Sequence, residues 1–139
     1  MFGLRQRKQR SDAWFTFPGK KTQIRWVPIE TAEWMESIGK TKSMPVGVVG
    51  WAIAQQAFRE KRVFKMSDVW EKYRYNGHRR LSIYVDVPLG EWIDELCGSQ
   101  HRSINYVIVS LLKEAHNRFL EDGTMPTLEI LETSERGQQ

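Results

Sequence analysis

From residue 80 to residue 85 polar and apolar side chains alternate without a break, with Leu81, Ile83 and Val85 on one side and Arg80, Ser82 and Tyr84 on the other. A period of two predicts a strand with one buried face and one free face. After Pro88 the spacing becomes helical, with Leu89, Ile93, Leu96 and Cys97 on one stripe and an expected end near Gly98. Ser103 then stands as an N-cap, and Ile104, Ile108, Leu111, Leu112 and Ala115 form a second stripe that runs on to Gly123. One strand and two helices are too little to bury their own apolar face, and a lone strand has no ladder partner. A second strand has to pair with it.

The first half of the sequence offers one. Lys21, Gln23 and Arg25 alternate with Thr22, Ile24 and Trp26 as far as Pro28, and a helix carrying Ile29, Trp34, Met35 and Ile38 is expected to close at Gly39. After Ser43, Pro45 sits near a helix start, where its missing N–H costs nothing. Val46, Val49, Ile53, Ala57 and Phe58 follow at helical spacing. Laying Trp34 over Trp92 without a gap places Ile38 on Leu96 and Ala57 on Ala115. The same alignment lays Val27 on Val85 and turns Gln23 and Arg25 inward, and an unpaired buried arginine is costly. The preferred register keeps Ile24 and Trp26 buried and inserts one extra residue, a bulge, before Pro28. Gly47 and Gly50 are expected to let the two central helices approach closely.

The alternating RLSIYV strand, the Leu89/Ile93/Leu96/Cys97 stripe and the RSIN stretch at residues 102–105 resemble the ribbon-helix-helix family of DNA-binding proteins, the Arc/MetJ type. The chain departs from that pattern in carrying His101 where a glycine is frequent. The resemblance implies a mostly α fold with a two-stranded antiparallel β-ribbon, in which tandem ribbon-helix-helix units form an intramolecular pseudo-dimer. The units are placed at 21–58 and 80–123, with a basic arm at 1–20, a basic connector with a short helix at 59–79 and a tail at 124–139. The resemblance also implies base reading by Lys21, Gln23, Arg25, Arg80, Ser82 and Tyr84, because a two-stranded ribbon fits the major groove, where Arg can hold guanine and Gln adenine. Phosphate contacts are implied at Ser43 and at Arg102, Ser103, Ile104 and Asn105, where helix starts aim backbone N–H groups outward. Pro45 removes one such donor from the first unit.

Charge agrees with a polyanionic partner through its distribution more than its sum. The net charge is +4 and the sequence pI about 9.3. Residues 1–28 hold seven basic side chains against one acid, residues 59–80 eight against three, and residues 124–139 one against three. Arg5, Arg7, Lys8 and Arg10 can lie along phosphates, or serve only as a solubilising tail. Trp14, Phe15 and Phe17 are expected to dock on the protein. In the connector, Ser67 and Asp68 are expected to cap a short helix with Val69, Trp70 and Tyr73, ended by Asn76-Gly77; Lys61, Arg62, Lys65, Lys72 and Arg74 make it basic. Leu128, Ile130 and Leu131 can add a strand or bind a protein partner.

Other chemistry is thin. Gly39-Lys40-Thr41 lacks the glycine-rich loop of a phosphate-binding motif, because the motif's first position falls on Trp34. Cys97 and His101 are two ligands without a third, and His78 and His116 are isolated. Glu91, Asp94 and Glu95 belong to the polar face of a helix, and no nucleophile, base and orienting group come together. No enzyme activity and no cofactor is expected. A lone Cys97 favours a reducing compartment. The longest apolar run, residues 46–54, is too short for a membrane span. No secretory signal is read at the N-terminus, and the expected setting is the cytoplasm in a bacterial, archaeal, plasmid or phage context. The expected role is double-stranded DNA binding as a transcriptional repressor or as a plasmid or phage DNA-processing factor (conjugation accessory or partition), with self-association on adjacent sites. The competing expectation is a protein-interaction module of antitoxin or assembly type.

Overall fold

A computed structural model of the chain describes residues 19–62, 64–71 and 77–127. The arm cations Arg5, Arg7, Lys8 and Arg10, the aromatics Trp14, Phe15 and Phe17, the connector residues Lys72, Tyr73, Arg74 and Asn76, and the tail residues Leu128, Ile130 and Leu131 fall outside the described residues. The chain runs β1 (Lys20–Pro28), α1 (Ile29–Lys42), α2 (Val46–Glu60), α3 (Met66–Glu71), β2 (His78–Val85), α4 (Val87–Gln100) and α5 (Ile104–Asp122). It is mostly helical, with β1 and β2 paired antiparallel in a two-stranded sheet. Among the described residues no helix is long and apolar enough to cross a membrane.

Alternation explains β2, whose Leu81 and Ile83 are buried. In β1 the apolar spacing is irregular, and the ladder answers with a bulge. Register passes from Ile24↔Leu81 to Val27↔Arg79, so Arg25 and Trp26 together face Arg80. The expected bulge is present, but the residue it turns inward is Val27, fully buried, while Trp26 is 60% exposed at φ 66°. Two outward residues between Ile24 and Val27 let both aliphatic side chains reach the core. Trp26 is thereby left outside.

The helices also run past the glycines expected to end them. Gly39 and Gly98 lie inside α1 and α4, and the left-handed residues that close these helices are Ser43 (φ 57°) and His101 (φ 55°). Gly39 is needed for close approach, since a Cβ there would stand 2.6 Å from the Met44 carbonyl oxygen. Asp86 caps α4 through Leu89 N at 3.0 Å and accepts from Trp51 Nε1 at 3.0 Å, joining β2, α2 and α4 at one carboxylate. Ser103 caps α5, its Oγ accepting from Tyr106 N at 3.2 Å. α3 opens at Met66, one residue before the expected caps, because buried Met66 anchors it in the core; Trp70 Nε1 then donates to Ser110 Oγ at 2.8 Å.

α2 covers β2 and α5 covers β1, which seals the inner face of the ribbon. Gly47 and Gly50 serve that contact, rather than the helix-to-helix approach expected of them. A Cβ on Gly47 would sit 2.8 Å from the Ser82 carbonyl oxygen, and one on Gly50 would sit 2.4 Å from Ile83 Cγ2. Element starts and the residues that close the first helix of each half recur at one constant offset, the one that lays Trp34 over Trp92. It relates Lys20 to His78, Ile29 to Val87, Ser43 to His101 and Val46 to Ile104. The core repeats at the same offset: Trp34 stacks on His116 with ring centroids 5.0 Å apart, and Trp92 packs on Phe58 at 5.3 Å.

The halves differ in polarity. Thr31 Oγ1 and His116 Nδ1 are 2.9 Å apart and buried between α1 and α5, beside Lys113, which is 2% exposed. Burial lowers Lys113 to about 8 against the pull of Glu30, and burial with the nearby Lys113 charge lowers His116 to about 4. Cys97 is half-buried against the core, and burial pushes its thiol above the ordinary value.

Gly50→Ala, facing the fully buried and β-branched Ile83, should lower unfolding free energy by about 1–3 kcal/mol, whereas Gly98→Ala, with nothing within 4 Å of its added Cβ, should raise it by about 0.5–1 kcal/mol. Urea titration of both variants checks the pair, and equal effects would contradict the packing. Because the folded-state value of His116 lies below the unfolded 6.5, the unfolded chain takes up the proton first as pH falls. Stability should therefore drop by about 2–3 kcal/mol between neutral pH and pH near 4 from this group alone. His116→Phe, which copies the Trp92–Phe58 arrangement, should flatten that part of the profile; an unchanged slope would exclude His116 as its source.

Candidate nucleic-acid interface

Residues directly opposite each other in an antiparallel ladder share a face. Lys21↔Tyr84 and Gln23↔Ser82 therefore stand together on the ribbon side away from the core, Arg80 continues that row, and Arg25 joins it from the bulge. Lys21, Gln23, Arg25 and Arg80 are exposed and Ser82 is half-buried. Among the described residues the side chains of Gln23, Arg25 and Arg80 make no ion pair or hydrogen bond within the protein. Gln23, Arg25 and Arg80 thus present donors and positive charge that no acceptor among the described residues takes up.

Tyr84 departs from the expectation for this face, being only 6% exposed. Its ring lies where Gly47 has no side chain, with ring carbons 3.3 Å from the Cβ that any other residue would carry there. Lys21 Nζ sits 5.9 Å from the ring centroid. Tyr84 forms a wall under Lys21 and offers little edge of its own. Arg79, which alternation sets on the opposite side from Arg80, turns away from this row and pairs with Glu36 and, at 3.9 Å, Glu33 on α1.

Each edge of the ribbon meets the start of a helix. The first turn of α2 lies against β2, through Gly47 and the Ser82 carbonyl. The first turn of α5 lies against β1, where Asn105 Oδ1 accepts from Arg25 N at 2.7 Å and Asn105 Nδ2 donates to Arg25 O at 2.8 Å. Asn105, expected at a phosphate, therefore spends its side chain as a substitute ladder partner for the bulge. First-turn amides of a helix lack acceptors one turn back and carry positive partial charge, so the starts at Val46 and Ile104 flank the basic face with the amides of their first two residues, Val48 N and Tyr106 N being taken by the Pro45 carbonyl and Ser103 Oγ. Arg102 and Ser103 are exposed beside the second, the Arg102 guanidinium 4.8 Å from the Tyr106 ring centroid. Ile104 is half-exposed, and Ser43 is exposed but terminates α1 rather than capping α2, whose N-cap is Pro45.

The bulge is expected because the gapless alignment would bury Arg25, with Trp26 as the inward residue; the signal that points to Val27 instead is its three-residue spacing from Ile24, which a regular strand cannot bury on one face. No comparable signal marks Asn105 as the residue that holds the bulge. Asn105→Ala should remove both hydrogen bonds, lower stability by about 1–2 kcal/mol and speed hydrogen exchange at the Arg25 amide selectively. Exchange at Arg25 unchanged from the wild type would show that the bulge holds itself. Comparison of the chain with protein-family models, curated proteins and solved structures finds no match.

Proposed function

We propose that the chain binds double-stranded DNA as a tandem ribbon-helix-helix protein, its two units forming an intramolecular pseudo-dimer that places the β1–β2 ribbon in the major groove. The observation that carries this reading is the solvent-facing row of Lys21, Gln23, Arg25 and Arg80, bracketed by the first turns of α2 and α5. A two-stranded ribbon matches the width of the major groove, and Arg and Gln match the bidentate edges of guanine and adenine there. Helix starts on both flanks suit the phosphates on either side of that groove. The tandem part is supported by the constant offset of the element starts and by the matched Trp34–His116 and Trp92–Phe58 ring pairs. The central register supports it too, because Gln23↔Ser82 and Ile24↔Leu81 exchange under that offset.

Unlike halves imply an asymmetric target. A symmetric dimer reads a palindrome, whereas here Lys21, Gln23 and Arg25 come from one strand and Arg80 and Ser82 from the other. Repression or DNA processing on a plasmid or phage suits such a site. The competing reading, a protein-interaction module, has one observation on its side: a cleft of about 440 Å³ between α2, the connector and α4, with Phe58, Phe64 and Trp92 in its wall.

Selection of bound fragments from a random duplex pool decides between them, with enrichment expected for DNA reading and none for the module. Arg25→Ala and Arg80→Ala should each weaken binding to the selected duplex by about 1–3 kcal/mol and relax preference at one base pair. Unaltered affinity in the double variant would remove the ribbon face from the interface.

A further inference from the structure

Trp26 is the one large apolar side chain of the ribbon's outward row, and its exposure is built. At φ 66° its backbone occupies the left-handed region, which is unfavourable for an L-residue with a bulky side chain. The bulge that puts it there is gripped on both polar groups of Arg25 by Asn105. The indole stands edge-on to His78, ring centroids 4.7 Å apart at 87°, and is still 60% exposed. The offset that relates the two halves pairs Trp26 with Tyr84 and Asn105 with Gly47. Tyr84 can lie down because Gly47 leaves room for its ring. Asn105 puts a side chain in the corresponding place, and Trp26 stays upright.

We infer that Trp26 reads the 5-methyl group of a pyrimidine, thymine in ordinary DNA, at the β1 end of the ribbon, an assignment that rests on the DNA-binding reading above. Arg25 and Arg80 beside it can account for charge and for guanine contacts, and an indole adds neither. In the major groove the apolar feature that a base pair displays is the C5-methyl group. An upright indole at the end of a ribbon meets such a methyl with its face or edge and takes both surfaces out of water. The equivalent position on β2 holds Tyr84 folded down, so only one half of the site carries this preference.

The test uses the full chain and the duplex selected from a random pool. Selected duplexes should hold a thymine whose replacement by deoxyuridine, which deletes only the methyl, weakens wild-type binding about fourfold, the worth of one buried methyl. Putting 5-methylcytosine in place of cytosine at that position should strengthen binding by a similar factor. Trp26→Gly, which suits the positive φ, and Trp26→Ala should both bind the thymine and deoxyuridine duplexes equally while still preferring the selected duplex to a scrambled one. Trp26 variants that keep the full thymine preference, or a wild type indifferent to deoxyuridine at every selected thymine, would overturn the assignment and leave DNA binding standing. Enrichment of no duplex at all would sink both.

Discussion

The pairing of β1 with β2 is the constraint on which the rest of the molecule depends. Each strand has the other as its partner, and two strands alone are marginal in water. The ribbon persists because Ile24, Val27, Leu81 and Ile83 on its inner side are sealed by α2 and α5, and those helices can approach only because the ribbon is there to receive them. Gly47 and Gly50 show how close the fit is, since a single added carbon at either would run into β2. Asp86 extends the dependence to α4, holding its first turn and the Trp51 indole with one carboxylate. Ribbon and core therefore stand or fall together, although the strands come from opposite halves of the chain.

Near-symmetry sharpens the meaning of each difference. If the halves are tandem units, joining them in one chain frees each to diverge where two identical subunits could not. In the core the divergence is chemical: Trp92 meets Phe58, and Trp34 meets His116, with Thr31 and Lys113 adding polar groups to the same layer. His116 held near 4 stays neutral at ordinary pH, so this layer carries an uncharged imidazole that Thr31 can satisfy. At the ribbon the divergence is geometric. Gly47 accepts a reclining Tyr84, and Asn105 props the strand so that Trp26 stands up.

Regular periodicity was the legible part of the sequence. Alternation located β2, helical spacing located four of the helices, and Ser103 was readable as a cap because its chemistry is local. The two-strand pairing followed from the need of one strand for another. What sequence did not disclose is decided by tertiary contact. Gly39 and Gly98 read as helix ends, yet helix closure fell to Ser43 and His101 in left-handed conformations, while Gly39 is kept small by the Met44 carbonyl. Trp26 reads as core by alternation with Ile24, but Val27 takes the inward place since a bulge turns two consecutive residues out. Tyr84 reads as a free side chain by alternation and is buried by the absence of a side chain on Gly47, far away in the chain.

The bulge also bears on how the outward face of the ribbon keeps its shape. A ribbon with one buried side resists slipping by one residue, because every apolar group would change faces. Near its end that protection weakens, since fewer ladder bonds remain. Here the bulge is pinned from outside the ladder by Asn105, in the first turn of α5, with both bonds directed at the Arg25 backbone. The same first turn presents the amides that, on the proposed reading, would face a phosphate. A group that would touch bases and a group that would hold the backbone are thereby fixed to each other by two short hydrogen bonds. Order already present in the free protein need not be acquired on binding, so on the proposed reading the strain at Trp26 would sit where rigidity contributes most to discrimination.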